Sequence, residues 1–250
     1  MRGRSSLPVL LLNTRPAAET SRLPEGAAKA KAVRAMFDTI APRYDLVNRI
    51  MTFGLDRRWR RTAVTSLGLQ PGARVLDVAC GTGDLCRDLV AAGHQPVGVD
   101  LSMGMLSHAR TSVPLIQTDA LDLPLPPSTF DGAVSGFALR NFVALGPVFR
   151  ELGRVVRPGG KVALLDVSEP ANPILRAGHS VYFGHVVPRI GAAFSDRDAY
   201  RYLPKSVAYL PPGDEMLDQL RQAGFESVQR RLLSGGVTQL ITATRGGVSG

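Results

Sequence analysis

The spacing of hydrophobic and polar positions changes twice along the chain. Residues 1–27 mix Pro, Gly, Ser, Arg and Ala without apolar periodicity. Such a segment buries too little surface to offset the entropy of ordering, and it predicts a mobile basic tail. From Lys29 to Leu69 apolar residues recur at three and four: Val33, Met36, Phe37 and Ile40, then Leu46, Val47, Ile50 and Met51. That spacing predicts amphipathic helices broken around Pro42 and Gly54, a helical preface over residues 28–70.

After Pro71-Gly72 the pattern becomes short apolar runs separated by helical stretches. The runs Arg74–Ala79, Pro96–Leu101, Leu115–Asp119, Phe130–Phe137 and Lys161–Val167 predict five strands. Between them, Leu85–Ala92, Met103–Ser112 and Val143–Val156 have helical spacing, and this alternation predicts an α/β, doubly wound, mostly parallel sheet covered on both faces. The helix before the fifth strand should stop at Arg157-Pro158-Gly159-Gly160, where Pro cannot continue it. Residues 170–213 carry Tyr182, Phe183, His185, Phe194, Tyr200, Tyr202 and Tyr209, a cap on the substrate side of one domain spanning 28–250. A helix, Glu215–Ala223, and two strands, Phe225–Leu233 and Thr238–Thr244, joined at Ser234-Gly235-Gly236, complete seven strands with an antiparallel edge.

With 250 residues, 44% hydrophobic and 20% charged, the chain fits one soluble catalytic-sized domain and excludes disordered, collagen-like and disulfide-scaffold classes. Its two cysteines, Cys80 and Cys86, form no CxxC pair and read as reduced thiols. The apolar run Leu7–Leu12 is too short for a membrane span or a signal peptide, so a cytoplasmic protein is expected. Histidines 94 and 108 read as surface or helix-end residues.

The net charge of +9 changes the picture of partners. Over half the excess lies before residue 35, and a second cluster, Arg57, Arg58, Arg60 and Arg61, surrounds Trp59, the only tryptophan. This suits an interfacial anchor at lipid headgroups; a solvated basic helix face with a packed Trp is the other reading.

Chemistry concentrates at strand ends. Val75-Leu76-Asp77-Val78-Ala79-Cys80-Gly81-Thr82-Gly83-Asp84 closes the first strand just before a helix, where glycine lets a ligand approach the backbone and helix-start amides can bind a carboxylate. A Gly-x-Gly also serves plain tight turns. Asp100 ends the second strand seventeen residues beyond Gly83, placed to accept both hydroxyls of a ribose or to cap the next helix. Asp119 at the third strand tip could accept from an adenine amino group, with the Ala120 amide reaching a ring nitrogen. No GxxxxGK[ST] is present, and Ala79 stands where a dinucleotide fingerprint wants its first glycine.

This ordered set, with Phe130-Asp131 and Arg157-Pro158-Gly159-Gly160, resembles the class I S-adenosylmethionine-dependent methyltransferases. Further segments resemble one subgroup, the C-methyltransferases of menaquinone and ubiquinone biosynthesis: Phe37-Asp38 through Tyr44-Asp45-Leu46-Val47-Asn48, Phe53-Gly54-Leu55-Asp56-Arg57-Arg58-Trp59, Phe137-Ala138-Leu139-Arg140-Asn141, His185-Val186-Val187-Pro188-Arg189-Ile190-Gly191 and Tyr200-Arg201-Tyr202-Leu203. The likeness covers residues 30 to 245.

The resemblance implies a Rossmann-like fold and methyl transfer from S-adenosylmethionine, without metal, to a ring carbon of a prenylated hydroquinone, foremost demethylmenaquinol. By position it implies that Asp77, Gly81, Thr82 and Gly83 hold the methionine end, Asp100 the ribose, and Asp119 with Ala120 the adenine. Arg140, with Asn141, falls on the proton-handling segment; because a guanidinium is a poor free base, phenolate stabilisation or positioning of a water suits it, and a structural ion pair is the alternative. Tyr44, Asp45, Asn48 and His185 are substrate-pocket residues on the same basis, His185 with packing as its alternative.

Four positions depart from the pattern. Asp56 stands where the subgroup commonly has His, Asp166 and Glu169 replace Glu and Lys, and Gly136 replaces a serine near the cofactor. These bear on the acceptor more than on the cofactor, so the ubiquinone-pathway quinol, another small aromatic metabolite, or a non-catalytic scaffold of quinone synthesis remain alternatives. Nucleic acid is not an expected partner, because Ser135 to Asn141 lacks the Pro-Pro-aromatic motif that grips a flipped base. A prenylated tail would bring the protein to the inner membrane face; whether it forms a homo-oligomer stays open.

Overall fold

The computed structural model describes residues 25–187, 189 and 206–247. Of the tail expected over residues 1–27, residues 1–24 lie outside the described residues and Gly26 and Ala27 already belong to a helix; Pro188, Ile190, Phe194 and Tyr200 to Leu203 of the expected cap also lie outside the described residues.

The preface consists of α1 (Gly26–Ile40), a single tight turn at Ala41–Arg43, α2 (Tyr44–Met51) and α3 (Leu55–Ser66), with breaks at Pro42 and Gly54 as the spacing predicts. Strands β1 (Arg74–Val78), β2 (Gln95–Asp100), β3 (Leu115–Gln117), β4 (Phe130–Gly136), β5 (Val156–Val167), β6 (Phe225–Leu233) and β7 (Thr238–Arg245) form one sheet. Its order is β3-β2-β1-β4-β5-β7-β6. The first five strands pair in parallel, and β7 runs antiparallel to both β5 and β6. The helices between them are α4 (Asp84–Ala91), α5 (Met103–Ser107), α6 (Leu145–Val155), α7 (Pro173–Val181, continued by a π turn Tyr182–Val186) and α8 (Gly213–Gln222). This is the Rossmann-like class I methyltransferase fold. No helix among the described residues is long and apolar enough to cross a membrane.

Apolar residues on both sheet faces hold the layers together. Phe130, Phe149, Leu152, Leu220 and Phe225 fill one side under α6 and α8, while Trp59, Val64, Leu67, Leu85 and Leu89 fill the other under α3 and α4. Ile40, Ala41, Val47 and Met105 make a smaller cluster that seats the preface on α5. Gly104 makes that seat close: a Cβ there would lie 2.7 Å from the Asp38 backbone.

Several details correct the sequence reading. Of the two readings of Trp59, the packed one holds and the surface anchor does not: it is buried, and its indole N–H donates to Ser234 Oγ at 2.8 Å. Arg60 is buried too, paired with Asp56, Asp84 and Asp88. His94 follows α4 but is buried rather than exposed, whereas His108 caps α5 in solvent. The helix expected over Met103–Ser112 stops at Ser107, since the chain turns back and the Arg110 amide bonds the Thr82 carbonyl. Pro158-Gly159-Gly160 lies within β5, as a bulge between the pairs Phe130↔Val156 and Gly132↔Lys161.

Candidate active site

The carboxyl ends of β1, β2 and β4 open into a cavity of about 1140 Å³, continuous with solvent, roofed by Ala30, Val33, Arg34 and Phe37 of α1. Strand β1 is apolar and buried on both faces, so its one carboxylate, Asp77, sits at the sheet centre. Asp77 Oδ2 accepts from Cys86 Sγ at 3.2 Å, while its Oδ1 has no partner. Burial raises its carboxyl from 3.8 to about 7.

Beyond Asp77 the chain enters the glycine loop. Gly81 and Thr82 line the cavity; Gly83 does not, and its part is the turn. Its φ of +81° starts α4, and a Cβ there would lie 2.8 Å from Thr111 Cγ2. Thr82 Oγ1 donates to Asp45 Oδ1 at 2.5 Å, binding α2 to the loop.

Asp100 is fixed at the end of β2 by two backbone donors. The Gly81 amide donates to Oδ2 and the Ser102 amide to Oδ1, both at 2.8 Å. Burial pushes this carboxyl up, opposed by those amides. It is not the helix cap: Ser102 caps α5, accepting from the Met105 amide, and donates in turn to Asp38 of α1. Asp119 Oδ1 accepts from the Leu121 amide, and Asp119 and Ala120 border the same cavity. Asp77, Gly81, Thr82, Asp100, Asp119 and Ala120 are thus brought to one cavity.

A second cavity, about 1380 Å³, lies beside the first and is mainly apolar, lined by Met51, Phe53, Leu55, Trp59, Ile174, Leu175, Tyr182 and Phe183 among others. Tyr44, Asn48 and Phe137 line both cavities and form their junction. Burial raises the Tyr44 phenol above its usual value. Arg140 lines the apolar cavity, buried on the far side of Phe137. Its Nη1 pairs with Asp166 Oδ1 and donates to the Phe137 carbonyl at 2.8 Å, and Nε donates to Ser206 Oγ. Asn141 lines the cofactor-sized cavity, and its Oδ1 is buried without a partner.

Two expected substrate residues fall elsewhere. Asp45 contacts neither large cavity; its carboxylate is engaged by Thr82 and borders a small polar recess with Arg49, His108 and Arg110. His185 is exposed and outside both cavities. Residues 178, 179, 182, 183 and 187 form the inward stripe of this helix, which turns 185 outward. His179 holds the inner position instead, its ring 4.3 Å from Phe183, and burial lowers its pKa.

The sequence reading also missed Arg60, Asp84, Phe37 and Phe142, which line the first cavity. Lys29 escaped it too: Nζ donates to the Phe142 carbonyl at 2.6 Å and lies 3.7 Å from the Tyr209 ring centre, tying α1 to two loops. Burial lowers this ammonium to about 8. Of these, Phe37 and Asp84 stood in motifs, without a role assigned to either.

The donor set fits S-adenosylmethionine. Asp100 retains lone pairs for two ribose hydroxyls, Asp119 Oδ2 remains for an amino group, and the unpartnered Oδ1 atoms of Asp77 and Asn141 call for donors.

Comparison with known proteins agrees. The family model described as "ubiE/COQ5 methyltransferase family" matches residues 25–245. The ubiquinone/menaquinone biosynthesis C-methyltransferase UbiE of Syntrophotalea carbinolica is 44% identical over 224 residues, covering 85% of this chain and 93% of that protein. The demethylmenaquinone methyltransferase of Roseiflexus sp. (strain RS-1) is 40% identical over 239 residues, covering 91% and 99%. Among solved structures, a complex of the Haloferax volcanii Trm112 methyltransferase activator with a methyltransferase aligns at TM-score 0.61 and 17% identity, over 84% of this chain and 98% of that one. At that identity it shows the fold alone.

Proposed function

The chain belongs to the ubiE/COQ5 methyltransferase family, and from that premise we propose that it methylates a ring carbon of a prenylated quinol, demethylmenaquinol foremost, with S-adenosylmethionine as co-substrate. One observation carries the reading: a cavity bordered by the carboxylates of Asp77, Asp100 and Asp119 adjoins a second, more apolar one through Tyr44, Asn48 and Phe137. The first suits a charged nucleoside, the second a hydrocarbon tail, and an aromatic head group belongs at the junction.

S-adenosylmethionine supplies a methyl group activated on sulfonium sulfur. The chain's residues do the rest. Asp100 and Asp119 fix the nucleoside, the glycine loop and Thr82 bear on its amino-acid end, and Asn141 accepts a hydrogen bond. Tyr44, Asn48 and Phe137 orient the ring so that its carbon faces the methyl group, and such orientation accounts for much of the acceleration in bimolecular transfers. The apolar walls exclude water. The Arg140 guanidinium favours phenolate over phenol by its positive field, raising electron density on the carbon ortho to the oxygen. Held by Asp166, it stabilises charge and does not take the proton; as the methyl group leaves sulfur for the ring carbon, the displaced ring proton passes to solvent.

A tail-bearing substrate keeps its tail in lipid, so the enzyme works at the bilayer surface. Comparing turnover of demethylmenaquinol, the ubiquinone-pathway quinol and their tail-less analogues tests the reading. Preference for the tailed naphthoquinol supports it; equal rates with tail-less phenols would replace it with a small aromatic acceptor.

A further inference from the structure

We propose that α7 with its π turn, together with the Thr52–Leu55 connection, forms a wedge that docks on an anionic bilayer and opens the apolar cavity toward it. The proposal rests on the prenylated-substrate reading and names the surface that reading leaves undefined.

The first observation is that α7 has no buried residue, although it is more apolar than α1, α2, α3, α4, α6 or α8. A helix so exposed normally presents a polar face to water. Here Ile174 is 82% exposed, Val181 60% and Leu175 49%, and Val186 is exposed in the following turn. Phe53, at 78%, stands beside them. Its ring lies 5.7 Å from that of Tyr182, whose hydroxyl donates to the Met51 carbonyl at 2.7 Å, so loop and helix form one crest. Monomeric proteins seldom leave such a contiguous apolar group in water.

The second observation is charge. Arg58 lies one turn after Leu55, with Arg57 and Arg61 on the same helix, and Arg49, one turn before Phe53, borders the recess beside Asp45; all four are exposed. None of these four has an ion-pair partner among the described residues. Arg176 stands on α7 itself. The carboxylates of the preface near this crest are engaged elsewhere: Asp45 holds Thr82, and Asp56 is buried against Arg60. An apolar crest fringed by arginines, with Glu169 as the exposed acid beside α7, carries a net positive charge complementary to anionic headgroups over an acyl layer. A second protein chain would not need that one-sided charge.

The third is continuity. Phe53, Leu55, Ile174 and Leu175 are at once exposed on the crest and part of the apolar cavity's lining. A tail could therefore pass from bilayer to cavity without crossing water. Trp59, by contrast, lines the cavity but is buried beneath the crest.

The test uses single tryptophans on the full chain, with Trp59 as buried background. Phe53→Trp and Val181→Trp report the wedge, and Val90→Trp, exposed on α4 and outside the cavity lining, is the control. Binding of S-adenosylmethionine by calorimetry confirms that each variant is folded. With phosphatidylglycerol/phosphatidylcholine vesicles carrying acyl-chain bromines, emission at positions 53 and 181 should shift to the blue and be quenched, and that at 90 should not. Sedimentation with vesicles without quenching at 53 and 181, or equal quenching at all three, would assign binding to another surface and overturn the proposal. So would a blue shift at 53 and 181 without vesicles that grows with protein concentration, which would place a second copy on this face. Methylation of quinol in detergent is measured separately, so failure of the wedge and failure of the reaction remain distinguishable.

Discussion

Thr82 of the glycine loop and Asp45 of α2 share a 2.5 Å hydrogen bond that joins the preface to the loop at the end of β1. The preface therefore meets the glycine loop directly, and the Asp45 carboxylate is turned to that loop and lines neither large cavity. Removing the hydroxyl by Thr82→Val forfeits a contact worth about 1 kcal/mol. The melting temperature should fall by about 2–4 °C, and calorimetry should show the S-adenosylmethionine dissociation constant rising, by up to about fivefold. Unchanged affinity would detach α2 from cofactor binding.

Asp100→Ala should do more. It removes the proposed ribose acceptor and leaves the Gly81 and Ser102 amides without their carboxylate, a loss of about 1–3 kcal/mol each if they stay dry. Both cofactor affinity and thermal stability should fall, and Asp100→Asn should retain part of each.

Arg140 and Asp166 form a buried ion pair, and breaking it from one side strands a charge at a cost of about 3–5 kcal/mol. Arg140→Ala should lower the melting temperature and turnover while sparing cofactor binding. Arg140→Ala/Asp166→Ala should recover stability but not turnover. Recovery of both would reduce Arg140 to a structural role.

Asp77 gives a pH signature. Its folded pKa of about 7 lies above the ordinary 3.8, so the folded chain holds the proton more tightly than the unfolded one. Stability of the cofactor-free protein should fall as pH rises from about 4 through about 7, and level off above. Asp77→Asn cannot titrate, and the difference in melting temperature between variant and wild type should grow in the variant's favour across that window. A flat difference would show that Asp77 has an ordinary pKa.

What the sequence disclosed was local. Strand ends, the turn at Gly83 and the acids at 100 and 119 follow from short-range patterns, because turn chemistry and strand periodicity act over a few residues. Pairings across the chain were hidden: Trp59 meets Ser234 across 175 positions, and that long-range contact turns an apparent surface anchor into core. Helix phase was the other blind point. His185 and His179 sit on one continuous helical stretch, and only its packing decides which faces the cavity. Arg60 read as one of a surface cluster because Asp84 and Asp88, its partners, lie on another helix.

The most direct measurement is transfer of labelled methyl from S-adenosylmethionine to reduced demethylmenaquinone in detergent, with mass spectrometry locating the new group. The account predicts a methyl on the ring carbon beside the hydroxyl. A methyl on oxygen, or no product from a protein that binds S-adenosylmethionine, would contradict it.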